Sequence, residues 1–252
     1  MMRIAAAQTI SKPGDVLENA SRHLDVCRAA AQRGVEFLVF PELSLSGYEP
    51  TLALRCKVDP YDERLNLLRA MAAQASMTIA VGAPVACEDG GGLSIGCITL
   101  FPNRLTAVYR KRFLHPGEEH FAAAGTVMTQ CHRVARTSVA LAICADTTHE
   151  EHAAAAKLAQ ADVYAASAFW TPGGYATDAA MMGHYATVHG FAVLMANHGG
   201  PTGSLPSAGR SAVWAPGGES LGSAPERGQA LMIATQVGGR WSAEAVSLGT
   251  LD

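Results

Sequence analysis

The stretch SVALAICADTTHEEHAAAA, residues 138–156, decides the fold, because an apolar run passes directly into polar residues and then into alanines. The apolar part, 138–144, predicts a buried strand that ends at Cys144. The part that follows predicts a helix over about 149–160. A strand followed at once by a helix is typical of α/β folds.

The same alternation extends along the chain in both directions. Further helices are predicted over 15–34, 62–76 and 176–190. Further strands are predicted over 3–8, 35–42, 78–85, 93–101, 105–111, 161–169, 192–197, 211–216 and 230–237. Two stretches rich in Gly and Pro are expected as surface loops, 199–209 and 215–228. No linker interrupts the pattern, so we expect a single domain over residues 1–252 with a mixed sheet in its core.

The composition narrows the class of protein. The chain has 252 residues, of which 49% are hydrophobic and 16% charged, and its net charge is −3. This balance does not favour a nucleic-acid or membrane partner. The N-terminal apolar run is too short for a signal sequence or a membrane span, and the six cysteines are scattered without a C-x-x-C pair. We therefore expect a cytoplasmic protein with reduced thiols.

The polar residues after Cys144 permit two interpretations. Thr148 to Glu151 fits the capping-box pattern S/T-x-x-E, which opens a helix. Alternatively, His149 and His152 could approach one metal ion. Their H-E-E-H order lacks the four-residue spacing of the H-E-x-x-H zinc motif. We therefore expect solvated histidines on a helix face and no metal.

Three reactive side chains fall at the carboxyl ends of predicted strands, which is where open α/β sheets bind ligands. Cys144 ends one strand, Glu42 follows a second, and Lys111 ends a third. Each has an ordinary structural explanation on its own: a buried thiol, a salt-bridged carboxylate at a rim, and a surface lysine. Together they supply a nucleophile, a base whose pKa burial would raise, and a cation for an oxyanion.

The segments around these residues resemble the motifs of the carbon–nitrogen hydrolase family, also called the nitrilase superfamily. They occur in the order that the family shows: FPELSLSGYEP (40–50), YRKRFLHPGEEHFAAAG (109–125), LAICADTTHEE (141–151), ADVYAASAFW (161–170), AVLMANHGG (192–200) and GRSAVWAPGGE (209–219). The resemblance covers nearly the whole chain. It implies a four-layer α-β-β-α sandwich with mixed sheets.

The resemblance also implies catalytic roles. Glu42 would be the general base and Cys144 the nucleophile. Lys111 and the backbone N–H of Ala145 would hold the oxyanion. The reaction that follows is hydrolysis of a small carboxamide through a thioester, with release of ammonia and a carboxylic acid. It requires no cofactor and no metal.

A second glutamate of the family is Glu118 or Glu119, and we prefer Glu118 because it stands three residues before Phe121. It would orient Lys111 or relay protons. Tyr48, His149 and Trp170 are expected around the pocket. A negatively charged substrate would need a basic group there, for which four residues are candidates: Arg112, His115, His149 and Arg210.

The chain departs from the family pattern at three places. Ala145 follows the cysteine where an aromatic residue is frequent. His149-Glu150 stands where Phe-Pro is usual, and no proline precedes Gly125. These departures lie around the expected pocket, so they bear on the substrate more than on the chemistry.

Several functions remain compatible with the sequence. The leading one is an amidase, with an N-carbamoyl amino-acid or amine amidohydrolase as the nearest alternative and a nitrilase further behind. A hydrolase that pairs Cys144 with a histidine base would use His149, His184 or His189. A non-catalytic binding protein on the same fold is a further alternative. The resemblance implies a homodimer or a higher homo-oligomer.

Overall fold

The computed structural model describes residues 1–249, and residues 250–252 at the end of the predicted domain lie outside the described part. The strands are β1 (Met2–Gln8), β2 (Phe37–Val39), β3 (Thr78–Val85), β4 (Ser94–Leu100), β5 (Thr106–Arg110), β6 (Gln130–Val134), β7 (Thr137–Ile143), β8 (Val163–Ser167), β9 (Ala192–Ala196), β10 (Ala212–Trp214), β11 (Ser220–Ser223), β12 (Gln229–Val237) and β13 (Arg240–Gly249). The helices are α1 (Val16–Ala31), α2 (Asn66–Ala75), α3 (Glu150–Leu158) and α4 (Tyr175–His189).

The strands form two sheets. One sheet has the order β13-β12-β1-β2-β3-β4-β5, and the other has the order β11-β10-β9-β8-β7-β6. The central strands β1, β2 and β3 run parallel, as do β7, β8 and β9 in the second sheet. Antiparallel neighbours flank both sets, so both sheets are mixed, as the sequence led us to expect.

Side chains along each central strand point alternately to the two faces of the sheet and so belong to different layers of the core. In β7, Val139, Leu141 and Ile143 face the other sheet. Ala140 and Ala142 point the opposite way and pack with residues of α3 and α4. The outer face of the first sheet packs against α1 and α2 in the same manner. One face of each sheet therefore packs against the other sheet, and the opposite face packs against helices. The fold is a four-layer α-β-β-α sandwich.

Three strands escape the sequence prediction. β6 is short and carries a His and an Arg, so no apolar run marks it. β11 lies within 215–228, which we expected as a loop, and its residues are exposed or half-exposed. β13 at the edge of the sheet also has no buried residue. Strands are predicted from runs of apolar residues, which occur where side chains are buried. Strands at the edge of a sheet bury few side chains, so their sequences rarely contain such runs.

Several predicted elements are shorter than expected, among them β2 and α2. β2 stops at Val39 because the chain leaves the sheet before Glu42. The helix predicted over 62–76 begins as a single 3-10 turn, and α2 proper starts at Asn66. Within residues 1–249, no helix has the length and apolar character that crossing a membrane would require.

Candidate active site

The backbone beside Glu42 is held against β3. Leu45 N donates to Gly82 O at 2.9 Å, and a Cβ built at Gly82 would lie 2.2 Å from Pro41 O. Only glycine therefore allows the chain to pass this close to β3. The carboxylate of Glu42 is thereby placed at the carboxyl end of the central strands, and its residue is 1% exposed.

Lys111 lies between two carboxylates. Its Nζ is 2.7 Å from Glu42 Oε1 and 2.8 Å from both carboxylate oxygens of Glu118. Lys111 is fully buried, which excludes the alternative explanation that it is an ordinary surface lysine. Two carboxylates and one ammonium form a buried cluster with a net negative charge.

The structure distinguishes the two glutamates that the sequence left open. Glu118 is buried, and its carboxylate also accepts hydrogen bonds from Tyr48 Oη at 2.9 Å and His115 N at 2.8 Å. Glu119 is exposed and accepts from Gly117 N. Glu118 is therefore the glutamate that contacts Lys111, in agreement with our preference.

Cys144 does not end the strand, which corrects our expectation. β7 ends at Ile143, and Cys144 opens a 3-10 turn, Cys144–Thr148, with a positive φ of 43°. A left-handed conformation at a non-glycine residue costs on the order of 1–3 kcal/mol, and the surrounding structure has to impose it. The thiol donates to Phe169 O at 3.6 Å, and Cys144 lines the same small cavity as Glu42.

The carboxylate of Asp146 joins the lysine and cysteine segments. It accepts from Arg112 N at 3.0 Å and Phe113 N at 2.8 Å, just after Lys111. It also accepts from Ile143 N at 2.9 Å and Tyr109 Oη at 2.8 Å. Because one buried carboxylate holds both segments, their separation is fixed, and the strained turn at Cys144 is held in place.

Burial and charge set the protonation of the two reacting groups. Burial raises the pKa of Glu42 to about 7; the charge of Lys111 acts against this rise, whereas that of Glu118 adds to it. Burial also raises the pKa of Cys144 well above its usual value, and the negative charge of Glu42 acts in the same direction. Attack by Cys144 as a thiolate therefore needs a base, and Glu42 has a pKa suited to that role near neutral pH.

Opposing effects act on Lys111. Burial disfavours its charged form, but the charges of Glu42, Cys144 and Glu118 outweigh burial and raise its pKa above the usual value. The side chain is therefore a permanent cation beside the thiol.

Two residues that the sequence did not reveal as part of the site, His198 and Asn197, contact the backbone of Glu42 and Trp170. His198 Nε2 donates to Glu42 O at 2.7 Å, and its ring lies edge-on to Phe169. Burial lowers the pKa of His198 to about 4, so the ring is neutral. Asn197 accepts from Trp170 N at 2.9 Å. The motif AVLMANHGG carried both residues, but it gave no indication of what they contact.

Two adjoining cavities open at Cys144. The smaller, about 120 Å³, is lined by Glu42, Tyr48, His115, Glu118, Cys144, Phe169, Thr171 and Leu205. The larger, about 370 Å³, also has Cys144, His115, Phe169 and Thr171 in its wall. The larger cavity extends between the start of α3 and the start of α4. A still larger surface cleft, lined by residues such as Arg136 and Lys157, includes none of the reactive residues.

The four expected pocket residues all line one of these cavities. Tyr48 lies in the smaller one. Ala145, His149 and Trp170 lie in the larger one. The His149 ring stacks on Phe113 with the ring centres 3.8 Å apart. His149 therefore fills the wall where the family pattern has Phe-Pro.

The structure corrects two expectations for the polar stretch, the capping box and the solvation of both histidines. Thr148 Oγ1 donates to Ala145 O, and His149 is the N-terminal cap of α3, so the expected capping box does not form. His152 is fully buried rather than solvated. Its two ring nitrogens contact the hydroxyls of Tyr109 and Tyr164, each at 2.8 Å, so neither is free to bind a metal.

The sequence also provided candidates for a basic pocket residue and for a histidine base, and only some of them line the cavities at Cys144. Arg112 Nη1 donates to Gly125 O, and Arg210 pairs with Glu226. His115 and His149 line the cavities. The alternative bases on α4, His184 and His189, line neither cavity at Cys144.

Comparison with known proteins places this site in a class of enzymes that hydrolyse carbon–nitrogen bonds. A sequence model described as carbon-nitrogen hydrolase matches residues 3–241. The chain belongs to the carbon-nitrogen hydrolase family. Among curated proteins, none matches the chain in sequence.

Solved structures of an amidase from Nesterenkonia sp. AN1 share the fold. One variant, with acrylamide added at the active-site cysteine, aligns at TM-score 0.85 and 23% identity over 94% of each chain. A cysteine-to-serine variant, described as an amidase from the nitrilase superfamily, aligns at TM-score 0.83 and 24% identity over 92% of this chain and 90% of that one. A cysteine-to-alanine variant in complex with butyramide aligns at TM-score 0.83 and 23% identity, covering 92% and 89%. The four-layer fold predicted from the sequence is thus confirmed.

Proposed function

We propose that this protein is an amidase that hydrolyses a small carboxamide to a carboxylic acid and ammonia through a thioester on Cys144. The observation that carries the proposal is that Glu42 and Cys144 line one small cavity while the Lys111 ammonium lies 2.7 Å from the Glu42 carboxylate. A base with a pKa near 7, a permanent cation and a thiol are the groups that such a reaction requires.

The first half of the reaction forms the thioester. Glu42 removes the proton from Cys144, and the thiolate attacks the amide carbon. The oxyanion lies between the Lys111 ammonium and the N–H of Ala145. When the C–N bond breaks, Glu42 returns the proton to the leaving nitrogen, and ammonia departs.

The second half releases the acid. Glu42 removes a proton from a water molecule, which attacks the thioester carbon, and the same cation stabilises the second oxyanion. The C–S bond then breaks, and the proton held by Glu42 returns to the sulfur. Glu118 and Tyr48 keep Lys111 in position through both halves.

The cavities favour a carboxamide without a carboxylate over an N-carbamoyl amino acid. A volume of about 120 Å³ suits a short carboxamide, since one water molecule takes up about 30 Å³ of liquid. An N-carbamoyl amino acid also carries a carboxylate. In the described residues, neither cavity wall includes a Lys or Arg that could pair with it. The amidase of known structure that binds butyramide supports the same preference.

Ammonia release from a panel of short amides, N-carbamoyl amino acids and nitriles tests the proposal. We expect turnover of the amides by the wild type and none by Cys144→Ala. A Cys131→Ala variant serves as the matched control, because Cys131 lies on β6 and lines neither cavity. Amide turnover that survives in Cys144→Ala would exclude the thiol mechanism.

A further inference from the structure

Asp178 is a carboxylate in the wall of the larger cavity that no step of the proposed reaction uses. It lies in the first turn of α4, and the same cavity wall includes Cys144. Asp178 lies outside the segments that resemble the family motifs, so nothing in the sequence indicated that it belongs to the site. Its position in the cavity therefore calls for a separate explanation.

The two histidines of this wall already have contacts in the chain. His149 stacks on Phe113 and lies 3.5 Å from Glu151. His115 Nδ1 contacts Pro116 O at 3.1 Å. By contrast, among residues 1–249 no hydrogen bond or salt bridge fixes the Asp178 carboxylate, and the opposing charge that acts on it is that of His115.

The start of α4 accounts for part of this arrangement. A carboxylate in the first turn of a helix is stabilised by the helix dipole. Asp178 is half-buried in the cavity wall, and burial raises the pKa of its carboxyl. A cationic group on a ligand would compensate this loss of solvation.

The substrate can reach both regions at once. The two cavities share Cys144, His115, Phe169 and Thr171, so a carboxamide at the thiol can extend its chain towards α4. The wall in that direction has one carboxylate and, among the described residues, no Lys or Arg. An ammonium or guanidinium group at the far end of the chain fits this wall.

We propose that the amide substrate carries a cationic group at the end remote from the carboxamide, and that Asp178 pairs with it. This inference rests on the proposed amidase function and names the substrate class. Asp178 determines specificity under this proposal and takes no part in the bond-making steps.

The test compares two series of amides. One series consists of straight-chain ω-amino amides, and the other of the alkyl amides in which a methyl group replaces the ammonium. We expect the wild type to favour one length of ω-amino amide in kcat/KM. In Asp178→Asn this preference should fall by at least about tenfold, with the alkyl amides unchanged.

The control variant is Glu150→Gln, which removes one negative charge from the first turn of α3 at an exposed position outside both cavities. It should leave the preference as in the wild type. An equal preference in Asp178→Asn and wild type would overturn the subsite while the amidase function stands. An equal fall in Glu150→Gln would also overturn it, because the effect would then come from the overall charge.

A binding measurement separates the subsite from the reaction. Alkylation of Cys144 by iodoacetamide should be slowed by butylammonium in the wild type and not in Asp178→Asn. If neither amide series is hydrolysed, the amidase function fails, and the protection result alone decides whether Asp178 binds cations. Equal protection of both proteins would overturn the proposal.

Discussion

Glu42, Lys111 and Glu118 place two carboxylates and one ammonium in a region that water hardly reaches. The negative charges around Lys111 keep its side chain charged despite its burial. Burial, opposed by Lys111 and assisted by Glu118, makes Glu42 hold a proton to a higher pH than a solvated glutamate does. At the scale of single residues, the site consists of a fixed cation and a carboxylate whose pKa lies near neutrality.

The pKa of Glu42 predicts a pH profile. Glu42 must be deprotonated to act as the base, so kcat/KM for a neutral amide should rise about tenfold per pH unit below about 7 and level off above it. His149→Gln should keep the inflection, since His149 is not the base. A profile that is flat between about pH 5 and 8, or an inflection lost in His149→Gln, would contradict the assignment.

Removal of the central cation should cost stability. Lys111→Met leaves two buried carboxylates facing each other, and an unpaired buried charge of this kind costs roughly 3–5 kcal/mol. In the folded variant the pKa of Glu42, which burial raises and Lys111 lowers, loses the lowering effect and lies further above that of the unfolded chain. The variant therefore loses stability as the pH rises from about 4.5 towards 7, and it lies nearest the wild type at acid pH.

Urea unfolding at acid and neutral pH measures this effect. Lys157→Met is the control, because Lys157 is an exposed lysine in the last turn of α3. It should be within about 0.5 kcal/mol of the wild type at both pH values. A loss below about 1 kcal/mol for Lys111→Met that does not vary with pH would show that the cluster is solvated after all.

At the scale of elements, the site depends on what happens just after three strands end. The chain after β2 crosses β3 at Gly82, and the chain after β5 is held by Asp146. The chain after β7 takes a left-handed residue at Cys144. The sequence predicted the strands and the residues at their ends. It could not show the strained turn or the Asp146 contacts, because both depend on segments far apart in the chain.

Gly82→Ala tests the contact between β3 and the chain at Glu42. The added Cβ would lie 2.2 Å from Pro41 O and 2.5 Å from Leu43 N, so the backbone at Glu42 has to move. We expect activity to fall roughly a hundredfold, since a shift of about 1 Å in a catalytic group costs that much. Stability should fall by about 1–3 kcal/mol, as measured by urea unfolding.

Gly91→Ala is the matched control for this prediction. Gly91 lies in the exposed loop between β3 and β4, where the nearest atom to an added Cβ is a side-chain oxygen at 3.5 Å. It should leave both activity and stability close to those of the wild type. Full activity in Gly82→Ala would show that the position of Glu42 does not depend on β3.

At the scale of the whole molecule, the carboxyl ends of the central parallel strands of both sheets lie on the same side of the sandwich. Glu42 and Lys111 come from the first sheet and Cys144 from the second, so the site forms only when the sheets pack together. Apolar patterning and the family motifs together predicted this architecture. Edge strands such as β13 were not predicted, because they bury too few side chains to show an apolar pattern in the sequence. The homodimer stays a prediction.

The most direct test of the account is how the intermediate partitions between water and hydroxylamine. If an amide and the ethyl ester of the same acid both pass through a thioester on Cys144, both should give the same ratio of hydroxamate to acid at a given hydroxylamine concentration. Cys144→Ala should give neither product from the amide. Ratios that differ between amide and ester, or no hydroxamate while acid forms, would contradict a common thioester.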